Sequence, residues 1–290
     1  MPAAAFIAQA FADHAAAPEA VAARLPEGFA LLAAAPDQAE SFARLAEHVV
    51  LGHLDDAVEL GSWIDRLEPL AAGDAGLGLA LARARLAGAL ATGRREAGAA
   101  LPSAEQVRAH GNALLALTRR SAWTEIRALL DEARALVEDP AGQRVFAAIT
   151  NNLAGDLRFY HAAHRTDAGY APLMIEAARL AHEHWHAVGG WLEQERADYQ
   201  LALCLASAGD GEAALDYARS CWQRCRDNAA DDEECCYALE ALGHAQYATG
   251  LRQDLAETRA LMAEHLSRID EGSRSYAAPL LTALDALIAA

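Results

Sequence analysis

The sequence predicts an all-α protein built from antiparallel helical hairpins, and three observations carry that expectation. Apolar residues fill 53% of the 290 positions while aromatics fill only 6%, and the abundant alanine favours closely packed helices over strands. Apolar positions recur at helical spacing on both sides of short breaks, and no stretch alternates as a strand would. The breaks near 121, 166, 209 and 250 are spaced by roughly 41 to 45 residues, within the range of helical-hairpin repeats.

Residues 1–92 read as degenerate helical hairpins. Asp37-x-x-Glu40, just after Pro36, has the form of a capping box, and Gly52 in RLAEHVVLGHLDDAVELGSWI marks the break between two helices. The stretch GRREAGAALP, Gly93 to Pro102, departs from the period and reads as an irregular connection. The main array then runs over 103–290. Ser103-x-x-Gln106 offers a second capping box, and Ser121 breaks NALLALTRRSAWTEIRALLDEARAL into two helices. A looser break lies near Thr166 in FYHAAHRTDAGYAPLMIEAARLAHEHW. In ERADYQLALCLASAGDGEAALDYARSCWQRCR, Gly209-Asp210-Gly211 makes a tight turn between antiparallel helices. Gly250 does the same in CYALEALGHAQYATGLRQDLAETRALMAEHL, where Leu251, Leu255, Met262 and Leu266 line the following helix. The run Asp231-Asp232-Glu233-Glu234 places carboxylates where a helix N-terminus favours them, as a solvated cap. A capping helix is expected to close the C-terminal end.

A formal net charge of −17 and a pI near 5.0 oppose nucleic acid or anionic lipid as a general partner. The N-terminal stretch has no basic residue before its apolar part and contains Asp13, so no secretory signal is expected. No uncharged apolar run reaches the ~18 residues of a membrane span. Five cysteines, four of them between 221 and 236, suit reduced thiols in a cytoplasm. Cys221 and Cys225, with Cys235 and Cys236, could meet between adjacent repeats, but CxxC spacing is absent. Small buried thiols are the simpler expectation. Glycine-rich phosphate loops, nucleophile elbows and dinucleotide fingerprints are also absent.

The most specific chemical motif is His182-Glu183-x-x-His186, the pattern in which two histidines bind zinc and the glutamate polarises a water. His186-x-x-Gly189 extends it, but the next ligand position is Leu192 rather than histidine, leaving a distant carboxylate such as Glu212 as third ligand. Met174, Ala177, Ala178, Ala181, Trp185 and Val188 form an apolar stripe through the same segment, with His182 and His186 at its polar margin. The segment is therefore expected to be a repeat helix. A zinc-dependent hydrolase using Glu183 as base is the alternative, and a non-catalytic metal site a further one.

The units LALCLASAGDGEAALDYA and LTRRSAWTEIRALLDEA resemble tetratricopeptide repeats: small Ala202 at the helix crossing, the Gly209-Asp210 turn, Trp123 after the turn at 121, and Ala214 in the second helix. They are longer than the commonest form and similar to the extended variants of bacterial regulatory proteins. The resemblance implies a right-handed superhelix whose first helices line a concave groove. With Ala202 and Gly243 marking close crossings, the groove residues are expected to be Asp156, Tyr160, Arg196, Tyr199, Tyr237, Glu240, His244 and Tyr247. Aromatics mixed with charges suit a protein or peptide segment, with apolar anchors and neutral or basic flanks. No cofactor is expected. The reading is a non-catalytic cytoplasmic interaction scaffold, with an oligomerising, ligand-sensing regulatory module as another alternative.

Overall fold

The computed structural model describes residues 1–94 and 101–290. It is all-helical among these residues, with neighbouring helices packed in pairs. The chain forms two compact units, Met1–Phe146 and Ala147–Ala290. Most of the 93–102 connection falls outside the described residues.

The first unit contains α1 (Ala3–Asp13), α2 (Pro18–Leu31), α3 (Ala39–Ala46), α4 (Ala57–Leu67), α5 (Ala75–Ala91), α6 (Ser103–Arg119) and α7 (Trp123–Ala135). Between α3 and α4 a π-helical segment runs from Glu47 to His53. Phe29, Phe42 and Trp63 meet at ring separations of 5.7 to 6.1 Å, an aromatic cluster that fills the centre of the α2, α3 and α4 packing. The same unit holds a buried ionic network. The Arg83 guanidinium donates to Glu47 at 2.6 and 2.9 Å and to Glu105 at 3.0 Å. With two carboxylates on one fork-shaped cation, the buried charges are mutually compensated.

The second unit takes in most of α8 (Pro140–His164), then α9 (Tyr170–Val188), α10 (Trp191–Ser207), α11 (Gly211–Asp227), α12 (Asp232–Ala248), α13 (Arg252–Arg268) and α14 (Glu271–Ala289). Each of α9 to α12 packs on its successor, α10 packs on α12, and α14 lies against both α12 and α13. The turns fall where the periodicity places them. Gly209 and Gly250 have φ of 87° and 76°, the left-handed conformation that ends a helix with least strain in glycine. Gly243 marks a close crossing: a Cβ there would lie 2.6 Å from a Leu284 methyl.

Three local expectations are corrected. Gly52 lies inside the π-helical segment, and the chain turns three residues later at Asp55, with φ 57°. Asp37 does not cap a helix, because Pro36–Gln38 form a short 3-10 turn and α3 starts behind it. Ser103 is already the first residue of α6, whose cap position is Pro102, and Gln106 reaches back to the Leu101 carbonyl at 2.9 Å. The Asp231 cap does form, its carboxylate accepting from the Glu234 backbone N–H at 2.8 Å. The acidic run after it is less solvated than expected, since Asp232 holds His265 and Arg268 and Glu234 holds Arg196.

Candidate functional site

In the second unit the first helices of successive hairpins, α8, α10 and α12, line a half-open cavity of about 490 Å³. Asn151 comes from α8. Glu195, Arg196, Tyr199 and Gln200 come from one face of α10, where the i, i+4 spacing stacks Glu195 over Tyr199 and Arg196 over Gln200. Asp231, Glu233, Glu234 and Tyr237 come from the cap and first turns of α12.

The charged groups here are fixed by one another. Arg196 grips Glu234 through two parallel hydrogen bonds of 2.7 and 2.9 Å, which hold the guanidinium pKa above its ordinary value. Tyr199 donates to Glu240 at 2.5 Å and meets Tyr237 edge to face at 5.9 Å. Burial, and then the Glu240 charge, push the Tyr199 phenol well up. Glu195 is fully buried; its Oε1 accepts from the Cys221 thiol at 2.8 Å, while Oε2 accepts no hydrogen bond from any described residue. Desolvation, reinforced by the Glu234 charge, raises the Glu195 pKa to about 8. Asn151 Oδ1 is likewise buried without a donor among the described residues. With Glu195 ionised, the wall thus carries two buried acceptors without donors among the described residues, together with an excess of carboxylates and an aromatic pair.

The sequence-derived groove residues divide. Arg196, Tyr199 and Tyr237 line the cavity, Glu240 sits beneath Tyr199, and His244 Nε2 lies 4.0 Å from Glu240. Asp156 and Tyr160 sit further along α8, outside the cavity wall, with Tyr160 edge-on to Phe159 at 4.9 Å. Tyr247 packs against the α12, α13 and α14 core, with Arg252 over its ring at 4.3 Å. Sequence reasoning missed Asn151, Glu195, Gln200, Asp231, Glu233 and Glu234 as cavity residues. Glu195 was legible in principle, one helical turn before Tyr199 on the same face.

On another side of α10 the HExxH histidines acquire a partner that spacing did not suggest. His182 and His186 stack with ring centroids 4.0 Å apart, and both Nε2 atoms point at one oxygen of Asp198, at 2.9 and 3.1 Å. The expected carboxylate, Glu212, is not part of this cluster. The second Asp198 oxygen accepts from Ser220 at 2.9 Å and from Arg224 at 2.8 Å. Burial works to raise the Asp198 pKa, but the hydrogen bonds from His182, Arg224 and Ser220 outweigh it and hold the carboxylate ionised below its usual range. The apolar stripe of α9 is buried from Met174 to Ala181, and the two histidines stand at its margin. All five cysteines are buried and unbridged, and burial raises the Cys204, Cys221 and Cys236 thiols, which makes them poor nucleophiles. No helix among the described residues is long and apolar enough to cross a membrane. No protein-family model matches the chain, and no curated protein matches it either.

Proposed function

We propose that this chain is a non-catalytic interaction module, similar in plan to a superhelical tetratricopeptide array, that takes a peptide or protein segment carrying a basic side chain or amino group into the α8, α10 and α12 cavity. The observation that carries this reading is the buried Asn151 Oδ1 and, once its carboxyl gives up its proton to a cationic partner, Glu195 Oε2, in a wall that also holds Asp231, Glu233 and Glu234. A buried acceptor without a donor costs ~1–3 kcal/mol, and an ammonium or guanidinium supplies the missing donors. Tyr199 and Tyr237 provide the apolar flank on which the stem of a lysine or arginine lies. A cytoplasmic location is in keeping with the free thiols.

The test is selection of displayed peptides against the full-length protein, followed by titration of the best synthetic peptide. Enrichment of lysine or arginine beside an aliphatic or aromatic residue is expected. Glu233→Lys and Asn151→Ala should each weaken binding by about tenfold or more with little change in melting temperature. Selection of acidic peptides, or of none, would refute the assignment.

A second reading, a zinc-dependent hydrolase with Glu183 as base, has one observation in its favour: Asp198 completes a two-histidine, one-carboxylate set. Against it, the Arg224 guanidinium is bound to the same carboxylate, placing a fixed positive charge where a dication would sit.

A further inference from the structure

A second histidine cluster lies in the first compact unit, far in sequence from the HExxH stretch. His14 ends α1, and His48 and His53 stand on the π-helical segment. The three rings lie 4.9 to 5.0 Å apart by centroid, and one nitrogen from each falls within 4.8 Å of the other two. We propose that His14, His48 and His53 form a binding site for a divalent transition-metal cation of borderline softness, zinc above all, with a fourth coordination position open to solvent.

The backbone makes this set possible. In an α-helix, residues five apart point about 140° away from each other, from 3.6 residues per turn. The i→i+5 bonding of a π-helix instead brings them to nearly one full turn, so His48 and His53 share a face. The Leu54 N–H to Val49 carbonyl bond of 3.1 Å has that spacing. Such segments are rare and often mark functional sites.

The hydrogen bonds around the cluster set the tautomers. Glu47 Oε1 accepts from Asn112 Nδ2 at 2.8 Å, which turns Asn112 Oδ1 toward His48 Nδ1 at 3.1 Å. His48 Nδ1 must then carry the proton, leaving its Nε2 as a lone pair. His14 Nδ1 faces the Phe11 carbonyl at 2.5 Å, so its Nε2 is likewise the free donor atom. Arg83 anchors Glu47 from behind. This is the outer-shell arrangement that orients metal-bound imidazoles. His53 Nε2 donates to the His48 Nε2 lone pair at 3.3 Å, so metal binding moves the His53 proton to Nδ1; the separation equals the edge of a tetrahedron whose zinc–nitrogen bonds are about 2.0–2.1 Å. Three imidazoles without thiolate or carboxylate favour zinc, copper or nickel over calcium or magnesium. All three side chains are half-buried, so solvent reaches the fourth position. The positive charge of Arg119 acts on His53 and opposes the ion, which sets the expected dissociation constant on the order of micromolar.

The experiment uses full-length protein without a histidine tag, stripped with chelator and titrated calorimetrically with zinc chloride. One site is expected that is lost in His48→Ala and His53→Ala, weakened at least tenfold in His14→Gln, and weakened on the order of 10–100-fold in Asn112→Leu. His186→Ala should leave it intact. Circular dichroism identifies any variant that does not fold, and His14→Gln, at the edge of the cluster, keeps the test available if the π-helical variants fail. A zinc-induced rise in melting temperature present in wild type and absent in His14→Gln supports the site. Absence of binding tighter than about 100 µM, or binding abolished by His186→Ala and unaffected by His14→Gln, overturns it.

Discussion

Two acidic residues of the second unit, Glu195 and Asp198, are fully buried. Glu195 is protonated at neutral pH because its folded pKa, near 8, exceeds the unfolded value near 4.5. The folded state therefore binds the extra proton, and stability falls as pH rises from about 4.5 through 8. Glu195→Gln keeps the shape and removes the titration, so the variant should lose this decline and be the more stable protein at pH 8, measured by urea unfolding at pH 5, 7 and 8. A cationic peptide draws the same proton off, so binding should tighten as pH rises over that interval. Asp198 behaves in the opposite sense. Its depressed pKa contributes stability above the unfolded value that is lost as pH falls through the folded one. It holds two imidazoles, a hydroxyl and a guanidinium while fully buried, so Asp198→Ala should destabilise by ~3–5 kcal/mol in chemical denaturation. A cost below ~1 kcal/mol would mean that the cluster is no structural hub.

At the scale of elements, the helices meet at contacts tight enough that one methyl group decides the sign of a substitution. A Cβ at Gly211 would lie 2.8 and 2.9 Å from the Ala248 backbone, where the first residue of α11 meets the end of α12. Backbone there cannot rotate away, so Gly211→Ala should cost ~1–3 kcal/mol. Gly78, within α5, has open space around its Cβ position, and Gly78→Ala should stabilise by ~0.5–1 kcal/mol through helix propensity. Thermal melts of the two variants should move in opposite directions. The π-helical segment shows the same principle in the backbone. Its register exposes one face carrying His48 and His53 that no α-helical wheel would draw, and it absorbs Gly52, whose composition had suggested a turn.

Across the whole molecule, a charge of −17 gives the chain a long-range attraction for basic partners that screening weakens. The titrations of the selected peptide should therefore weaken between 50 and 500 mM salt chiefly through slower association. Insensitivity to salt would point to purely apolar docking and away from the carboxylates at the cavity wall. The cavity and the Asp198 cluster lie in 147–290, and the three-histidine cluster lies in 1–146. Variants in one should leave the readout of the other unchanged.

By itself the sequence determined the all-helical class, the turns at Ser121, Gly209 and Gly250, and the buried part of the α9 stripe from Met174 to Ala181, beyond which Trp185 and Val188 are only half-buried. These follow from periodicity and from glycine's access to positive φ, both local properties of the chain. It also brought Arg196, Tyr199 and Tyr237 to one groove, because helices of equal length repeated at a fixed interval present equivalent faces. Only the tertiary structure joined Asp198 to His182 and His186, Glu195 to Cys221, and His14 to His48 and His53. Those pairs are set by how helices cross and by a local change of helical pitch. The backbone hydrogen-bond shift that creates the π-turn leaves no periodic trace in residue type, so no pattern along the chain could have announced it.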